Sequence, residues 1–319
     1  MFEIIFLGTS ASAPSIYRGL PAQVVLAEEH RFLIDCGEGT QRQILKSGIG
    51  FKRLTRILLT HGHLDHILGL GGLLSTFMRW ESVEELEIWG SRYTLDRVQD
   101  LLYGVVLRGA RPPIPLHLID LQPGLIFEAR KFTVSAFPVS HRGPGNFGFL
   151  FEERSRRPFL VERAEALGVP AGPERGVLAR GEPLTLPDGR VVHPDDVLGP
   201  EVPGAKLVHI GDIARTDNLP PTLHGADALV IEATYLESEA DIAADFGHIT
   251  AAQAARCAGD LEVRTLILTH LSRRSRERDV LDEARAIFPH TYVARDFDRF
   301  TVAKGKPVTR QEPAAHSGG

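Results

Sequence analysis

The sequence predicts a mixed protein of the α/β or α+β class, with layered sheets covered by helices. Three observations carry this. Short runs rich in Ile, Leu and Val recur along the chain, helical patterns lie between some of them, and several of the runs end directly on His or Asp. The apolar runs at 2–7, 22–26, 31–34, 55–60, 86–89, 132–139, 146–151, 206–210, 228–233, 264–269, 291–294 and 299–303 read as strands. Helical periodicity falls at about 40–48, 65–79, 92–103, 250–258 and 276–287, with Thr250 placed to cap the fourth.

A chain of 319 residues can bury a substantial core without disulfides or structural metals. Its net charge of −5 argues against a protein that grips nucleic acid over its whole surface, while leaving room for a local basic patch. The two cysteines, Cys36 and Cys257, have no paired spacing, which excludes a Cys-built zinc site and argues against a disulfide scaffold. The segment Met1 to Gly8 is too short and wrongly charged for a signal peptide, and no apolar run reaches transmembrane length. A soluble, cytoplasmic enzyme with no membrane partner is the expectation.

Residues 152–205 stand apart. They are dense in Pro and Gly, from Pro158 and Gly168 to Pro203 and Gly204, and their apolar residues are sparse and poorly periodic. Strands and chemistry-bearing residues continue on the far side, so the segment reads as an inserted, projecting arm rather than a linker between domains. The remainder, 1–306, reads as one domain, and 307–319 as a disordered tail.

The strongest local signal is His61-Gly62-His63-Leu64-Asp65-His66, directly after the apolar strand that ends at Thr60. Four N/O ligands within six residues suit a divalent metal, and imidazole favours zinc. Gly62 is expected to let the backbone turn sharply between two ligands. One loop cannot close two metal sites, so further ligands are expected at other strand ends. His141 follows 133–140, Asp212 follows 207–211 and His270 follows 265–269. Alone, each would more often be a surface or satisfied core residue; beside the 61–66 cluster each becomes a ligand candidate. His209 has the weaker prospect of supporting the site from behind, and core packing is the more ordinary role for it.

The order of strand, His-x-His-x-Asp-His, lone His, lone Asp and lone His resembles the metallo-β-lactamase superfamily. Further stretches narrow the resemblance to the ribonuclease Z family of tRNA 3′-endonucleases. These are Phe6-Leu7-Gly8-Thr9-Ser10, Asp35-Cys36-Gly37-Glu38-Gly39-Thr40-Gln41, Glu232-Ala233-Thr234-Tyr235, Gly247-His248-Ile249-Thr250 and Leu268-Thr269-His270-Leu271-Ser272, together with the Gly/Pro pattern of the arm. The chain departs from the family's common pattern at Ile16, Gly19, Ile231 and Ile249.

The resemblance implies an αβ/βα four-layer sandwich with the site at its rim and an inserted arm. It implies two Zn2+ per chain, or Mn2+ or another divalent metal in their place. His61, His63 and His141 would hold one ion, Asp65, His66 and His270 the other, and Asp212 would bridge them. Asp65 would accept the proton of the attacking water. His248, oriented by Glu232, would protonate the departing ribose oxygen, and Asp35 would hydrogen-bond a ligand histidine. The implied activity is removal of the 3′ trailer from precursor tRNA, leaving a 3′-hydroxyl on the tRNA and a 5′-phosphate on the trailer, by a cytoplasmic homodimer. A phosphodiesterase, arylsulfatase-like hydrolase or lactonase acting on a small substrate is the alternative. A binding module that kept the fold and lost its activity is disfavoured by the complete ligand set.

Overall fold

The computed structural model describes residues 1–80, 83–112 and 114–312. The chain divides into two compact units, a body formed by Met1–Glu152 with the residues from Ala205 onward, and the inserted unit Glu153–Gly204.

The body begins with β1 (Phe2–Gly8), β2 (Ala22–Ala27), β3 (His30–Ile34), α1 (Thr40–Ser47), β4 (Arg56–Leu58), α2 (Leu64–Ile67) and α3 (Gly69–Trp80). It continues through β5 (Leu86–Gly90), α4 (Arg92–Gln99), a π-helical turn at Asp100–Leu107 and β6 (Leu116–Asp120). Strands β7 (Gly124–Glu128), β8 (Phe132–Pro138) and β9 (Phe147–Glu153) open a second sheet. The inserted unit holds α5 (Val161–Ala166), α6 (Pro173–Ala179), the β10 (Leu184–Thr185) and β11 (Val191–Val192) hairpin, and α7 (Pro194–Val197). The second sheet resumes with β12 (Lys206–His209) and β13 (Ala228–Glu232), followed by α8 (Ala240–Phe246), α9 (Ala251–Asp260), β14 (Leu266–Thr269), α10 (Glu277–Ile287) and β15 (Thr291–Val293). Finally β16 (Arg299–Val302) and β17 (Thr309–Gln311) return to the first sheet.

The first sheet runs β17-β16-β1-β2-β3-β4-β5-β6 and the second β15-β14-β13-β12-β9-β8-β7. Side chains alternate across a strand, so a strand covered on both faces is apolar throughout. In β1, Phe2, Ile4 and Phe6 enter the layer between the sheets, while Ile5 and Leu7 face the helices. The inter-sheet layer is rich in aromatic rings: Phe32, Phe132, Phe151 and Phe300 join Phe2 and Phe6 in edge-to-face contacts, and Phe149 packs in the same layer. Truncating one of these rings to Ala costs about 3–5 kcal/mol. Residues of α1, α3 and α4 cover the outer face of the first sheet, and those of α9 and α10 the outer face of the second. The body is thus the four-layer sandwich implied by the resemblance. His209 is buried in it, its Nε2 3.2 Å from Gln23 Oε1.

What places a site at the rim is strand direction. β3, β4 and β5 pair in parallel, as do β12, β13 and β14, so the C-terminal end of each opens on the same edge of its sheet. Asp35 and the 61–66 loop leave the first group there; Asp212, Glu232 and His270 leave or end the second. Asp35 and His270 both take positive φ, 58° and 56°. That conformation is uncommon for residues other than Gly and clusters at functional sites.

Several sequence expectations change. Strands β6, β7 and β17 carry too few buried residues to show a pattern, because they lie at sheet edges. The helix expected at 65–79 is interrupted at Leu68, and that at 92–103 passes into the π-helical turn. The inserted unit is structured and has a small core of its own, Ala164, Val169, Leu178, Leu186, Val192 and Val197. The expected disordered tail fails for 307–312, since Val308 is buried and β17 pairs with β16; residues 313–319 lie outside the described ones.

Candidate metal centre

The seven expected ligands come together. Donor atoms of His61, His63, His141 and Asp212 lie within 4.8 Å of one another, as do those of Asp65, His66 and His270, and those of Asp212, His248 and His270. Asp212 therefore belongs to both sides of the cluster. Its Oδ2 is 3.7 Å from His61 Nε2, 3.5 Å from His66 Nε2 and 3.8 Å from His141 Nε2, while its Oδ1 is 3.3 Å from His270 Nε2. Asp65 Oδ2 stands 3.8 Å from His66 Nε2 and 3.7 Å from His270 Nε2.

Four of the five ligand imidazoles are held from behind, which decides which nitrogen faces inward. His66 Nδ1 is 2.8 Å from Asp35 Oδ2, so its N–H donates outward to that carboxylate. The Thr60 hydroxyl donates to Asp35 Oδ2 at 2.8 Å and accepts from His61 Nδ1 at 3.0 Å. The Thr234 hydroxyl donates to Glu232 and accepts from His270 Nδ1 at 2.9 Å. His141 Nδ1 donates to the Gly247 carbonyl at 2.6 Å. Four Nε2 atoms are thereby aimed into the centre. His63 turns the other way, with its Nδ1 3.3 Å from His141 Nε2.

A cation fits this arrangement. His61 Nε2, His66 Nε2, His270 Nε2 and Asp212 Oδ1 are buried without any hydrogen-bond partner. Burial of four orphaned polar atoms is costly unless a group satisfies them. Lone pairs from imidazoles and carboxylate oxygens converging at one point are the donor set of a divalent metal. Burial, reinforced by the other histidines, holds His61 well below its usual pKa and His63 down at about 4, so both are neutral and able to coordinate at pH 7. The neighbouring His270 and His66 rings hold the Asp65 pKa down against burial, which keeps its carboxylate ionised. The ionised state of Asp212 is maintained, again against burial, by His270 and His66.

His248 sits beside the cluster on different footing. Its Nδ1 is 2.9 and 3.1 Å from the two oxygens of Glu232, which is fully buried. Burial lowers its pKa, but the Glu232 charge and hydrogen bond outweigh this and raise it to about 9. Glu232 also accepts the Ile213 N–H at 2.7 Å, so the carboxylate is locked by β13 and its neighbours.

Two supports escaped sequence reasoning. One is Ser12, whose backbone N–H donates to Asp65 Oδ2 at 2.9 Å. The other is Asp296, which closes the base of the 9–19 loop by accepting from Thr9 Oγ1 (2.8 Å), Gly19 N (2.7 Å) and Gln43 Nε2 (2.8 Å). Backbone donors leave no residue-type signal, and Asp296 lies far from Thr9 in sequence. Gly62 serves differently from the expectation. Its φ is not positive; instead an added Cβ would meet Thr94 and the Arg97 side chain at 3.3–3.4 Å. Close packing, rather than a left-handed turn, is what favours glycine here. Ile231, one of the departures, is buried in the core beneath α9.

Fold and centre together define a metal-dependent hydrolase of the β-lactamase superfamily, whose domain model matches residues 30–160 and 179–271. Closer relatives are ribonucleases Z. That of Bradyrhizobium sp. (strain ORS 278) is 52% identical over 95% of this chain and its own full length. That of Gemmatimonas aurantiaca is 38% identical over 93% of this chain and 95% of the relative. The crystal structure of the human tRNase Z, short form, superposes with a TM-score of 0.64 at 26% identity, covering 94% of this chain and 98% of the human one. The chain belongs to the ribonuclease Z family.

Proposed function

We propose that this protein is an endoribonuclease that removes the 3′ trailer from precursor tRNA, using two zinc ions held by the seven-residue cluster. The observation that carries the reading is the complete set of inward-facing donors in a chain half identical to a ribonuclease Z over its whole length. His61, His63 and His141 would hold one ion, Asp65, His66 and His270 the other, with Asp212 between them. When bound, such a pair lowers the pKa of water and neutralises charge on phosphate oxygens.

The chain's own residues do the rest. The Asp65 carboxylate, fixed by the Ser12 N–H, takes the proton of the water that attacks phosphorus. His248, its Nδ1 occupied by Glu232, presents Nε2 to the ribose 3′ oxygen as the P–O bond breaks. Its proton leaves with that oxygen as the tRNA 3′-hydroxyl, and the trailer keeps a 5′-phosphate. Glu232 preserves the protonated ring and its orientation.

The protein works in the cytoplasm, where its two buried, unpaired thiols stay reduced, and assembles as a homodimer. A second reading, phosphodiester hydrolysis on a small substrate, is favoured by one observation. Residues 152–205 hold seven Arg, no Lys and ten Asp or Glu, a net of −3. Of those arginines, Arg157, Arg175, Arg180 and Arg190 pair with carboxylates inside the inserted unit.

The deciding experiment incubates the purified protein with a precursor tRNA carrying a 3′ trailer, maps both new ends, and measures metal by elemental analysis. A tRNA 3′-hydroxyl, a trailer 5′-phosphate and two ions per chain are expected. An intact precursor alongside turnover of bis(p-nitrophenyl) phosphate would favour the second reading, and full activity with one ion per chain would refute the dinuclear centre.

A further inference from the structure

We infer that Arg142 and Phe246 form the subsite for the nucleotide that keeps the 3′-hydroxyl, Phe246 stacking its base and Arg142 engaging the phosphate on its 5′ side. This rests on the proposed cleavage of precursor tRNA with His248 at the leaving oxygen. Phe246 is the last residue of α8, and the chain then turns through Gly247 (φ 71°) straight into His248. The Gly247 carbonyl is the oxygen that orients His141. A Cβ at Gly247 would fall 2.7 Å from Arg142 Cγ and 3.6 Å from His141 Nδ1. The Arg142 side chain therefore lies along the 246–248 turn, and its guanidinium comes over the Phe246 ring at 5.9 Å from the centroid. The pair adjoins both His141 and His248, whose rings are 5.1 Å apart.

Two properties mark this pair as a ligand surface. Phe246 is 51% exposed, and every other phenylalanine among the described residues is buried or half-buried. Arg142 is uncommitted. Arg215, Arg256 and Arg274 are each held by a carboxylate at 2.7–2.9 Å, but Arg142 has no such partner among the described residues. An exposed aromatic face with a free guanidinium beside it is the combination that binds single-stranded nucleotides, ring to base and cation to phosphate.

Position selects which nucleotide. With His248 Nδ1 occupied by Glu232, only Nε2 can reach the leaving oxygen, so the ribose bearing that oxygen sits against His248. The cluster of His141, Asp212 and His270 fills the inner side. The base of that ribose is left the outer side, where Phe246 stands. The trailer nucleotide lies on the other side of the phosphorus, away from the leaving oxygen that His248 faces.

The test is a double-mutant cycle under single-turnover conditions. Precursor tRNA is prepared with the last tRNA nucleotide either intact or abasic, and cleaved by wild type, Phe246→Leu and Phe246→Tyr. Leu keeps apolar packing at the end of α8 but cannot stack; Tyr can. Wild type and Phe246→Tyr should prefer the intact substrate by roughly 5- to 100-fold, the range of one base–aromatic stack, and Phe246→Leu should lose the preference. Arg142→Ala should lower the slope of log affinity against log salt by about 0.7. A preference unchanged in Phe246→Leu, or lost equally in Phe246→Tyr, would overturn the subsite. Failure of the wild type to cleave either precursor would overturn the parent reading and this inference with it.

Discussion

Asp35 is the residue through which both halves of the centre are held, and Asp35→Asn tests whether that hold matters. Its Oδ1 accepts the Thr60 N–H at 2.8 Å; its Oδ2 accepts the Thr60 hydroxyl and the His66 Nδ1–H, each at 2.8 Å. Thr60 in turn accepts from His61 Nδ1. One carboxylate thus sets His66 directly and His61 at one remove. An asparagine amide has a single acceptor oxygen. Turned one way, its NH2 opposes the Thr60 N–H and displaces the backbone that carries His61. Turned the other way, it opposes the Thr60 hydroxyl and His66 N–H, and His66 must bring a proton to the nitrogen that should coordinate. Either orientation leaves one or two buried donors unmet, at about 1–3 kcal/mol each. Ala would leave three unmet, roughly 3–9 kcal/mol, on the scale of a whole domain's stability of about 5–15 kcal/mol. Asn is therefore the informative change, and it tolerates the positive φ at this position. The expected result is a folded protein whose zinc affinity, measured by competition with a chromogenic chelator, falls about 10- to 100-fold. Retention of zinc at wild-type affinity by folded Asp35→Asn would refute the argument.

Three further outcomes follow from the same geometry. His248→Ala removes the proton donor without removing a ligand, so single-turnover cleavage should slow roughly 10²–10⁴-fold while elemental analysis still finds wild-type metal content. Burial raises the Asp296 carboxyl to about 6, against the opposing hydrogen bonds of Gly19 and Thr9 and the charge of Arg18. Because the folded state holds that proton more tightly than the unfolded chain, its contribution is present below about pH 4 and lost as pH rises to about 6, a change of about 3 kcal/mol. Denaturant titrations of wild type and Asp296→Asn side by side should show the variant gaining relative stability across that window; parallel pH curves would refute it. The inserted unit can be excised, because Glu152 and Lys206 are directly paired neighbours in antiparallel strands and a two-residue turn can join them. The shortened chain should keep its metal content and process precursor tRNA more slowly, and an undiminished single-turnover rate would show that the unit makes no contact that matters to the substrate.

How much of this was legible depended on how locally each feature is written. The 61–66 cluster is one contiguous loop, and His141, Asp212 and His270 each follow an apolar run, so strand-end placement marked them before any coordinates. Asp35 was recognisable for the same reason. The positions that orient the ligands were not. Thr60 and Thr234 are ordinary threonines in sequence, and only the meeting of His61 with Asp35, and of His270 with Glu232, gives their hydroxyls a task. Ser12 acts through its backbone alone. Polar supports of this kind become visible only when two strand ends from distant parts of the chain are brought to one rim.

The inserted unit stands out in the sequence at nearly its observed bounds, but its internal order does not, for a different physical reason. Its core consists of Ala164, Val169, Leu178, Leu186, Val192 and Val197, about one residue from each short element, so neither a helical nor a strand period has room to repeat. Turn chemistry does the organising instead. Gly168, Gly172, Gly181 and Gly189 all take positive φ, and Pro173 and Pro194 each open a helix where the missing N–H costs nothing. The Gly- and Pro-rich composition is therefore the set of residues that such a fold requires. The same compactness bears on its charge. Arg157 is tied to Asp195 and Arg190 to Asp188 at 2.5 and 2.7 Å, so an RNA phosphate approaching these cations must displace a carboxylate that is already there. Exchange of one anion for another gains little, as exposed pairs contribute only about 0–1 kcal/mol. Any grip this unit has on tRNA must then come from Arg156 and Arg163 or from shape, and charge reversal at Asp195 or Asp188 should strengthen binding rather than weaken it.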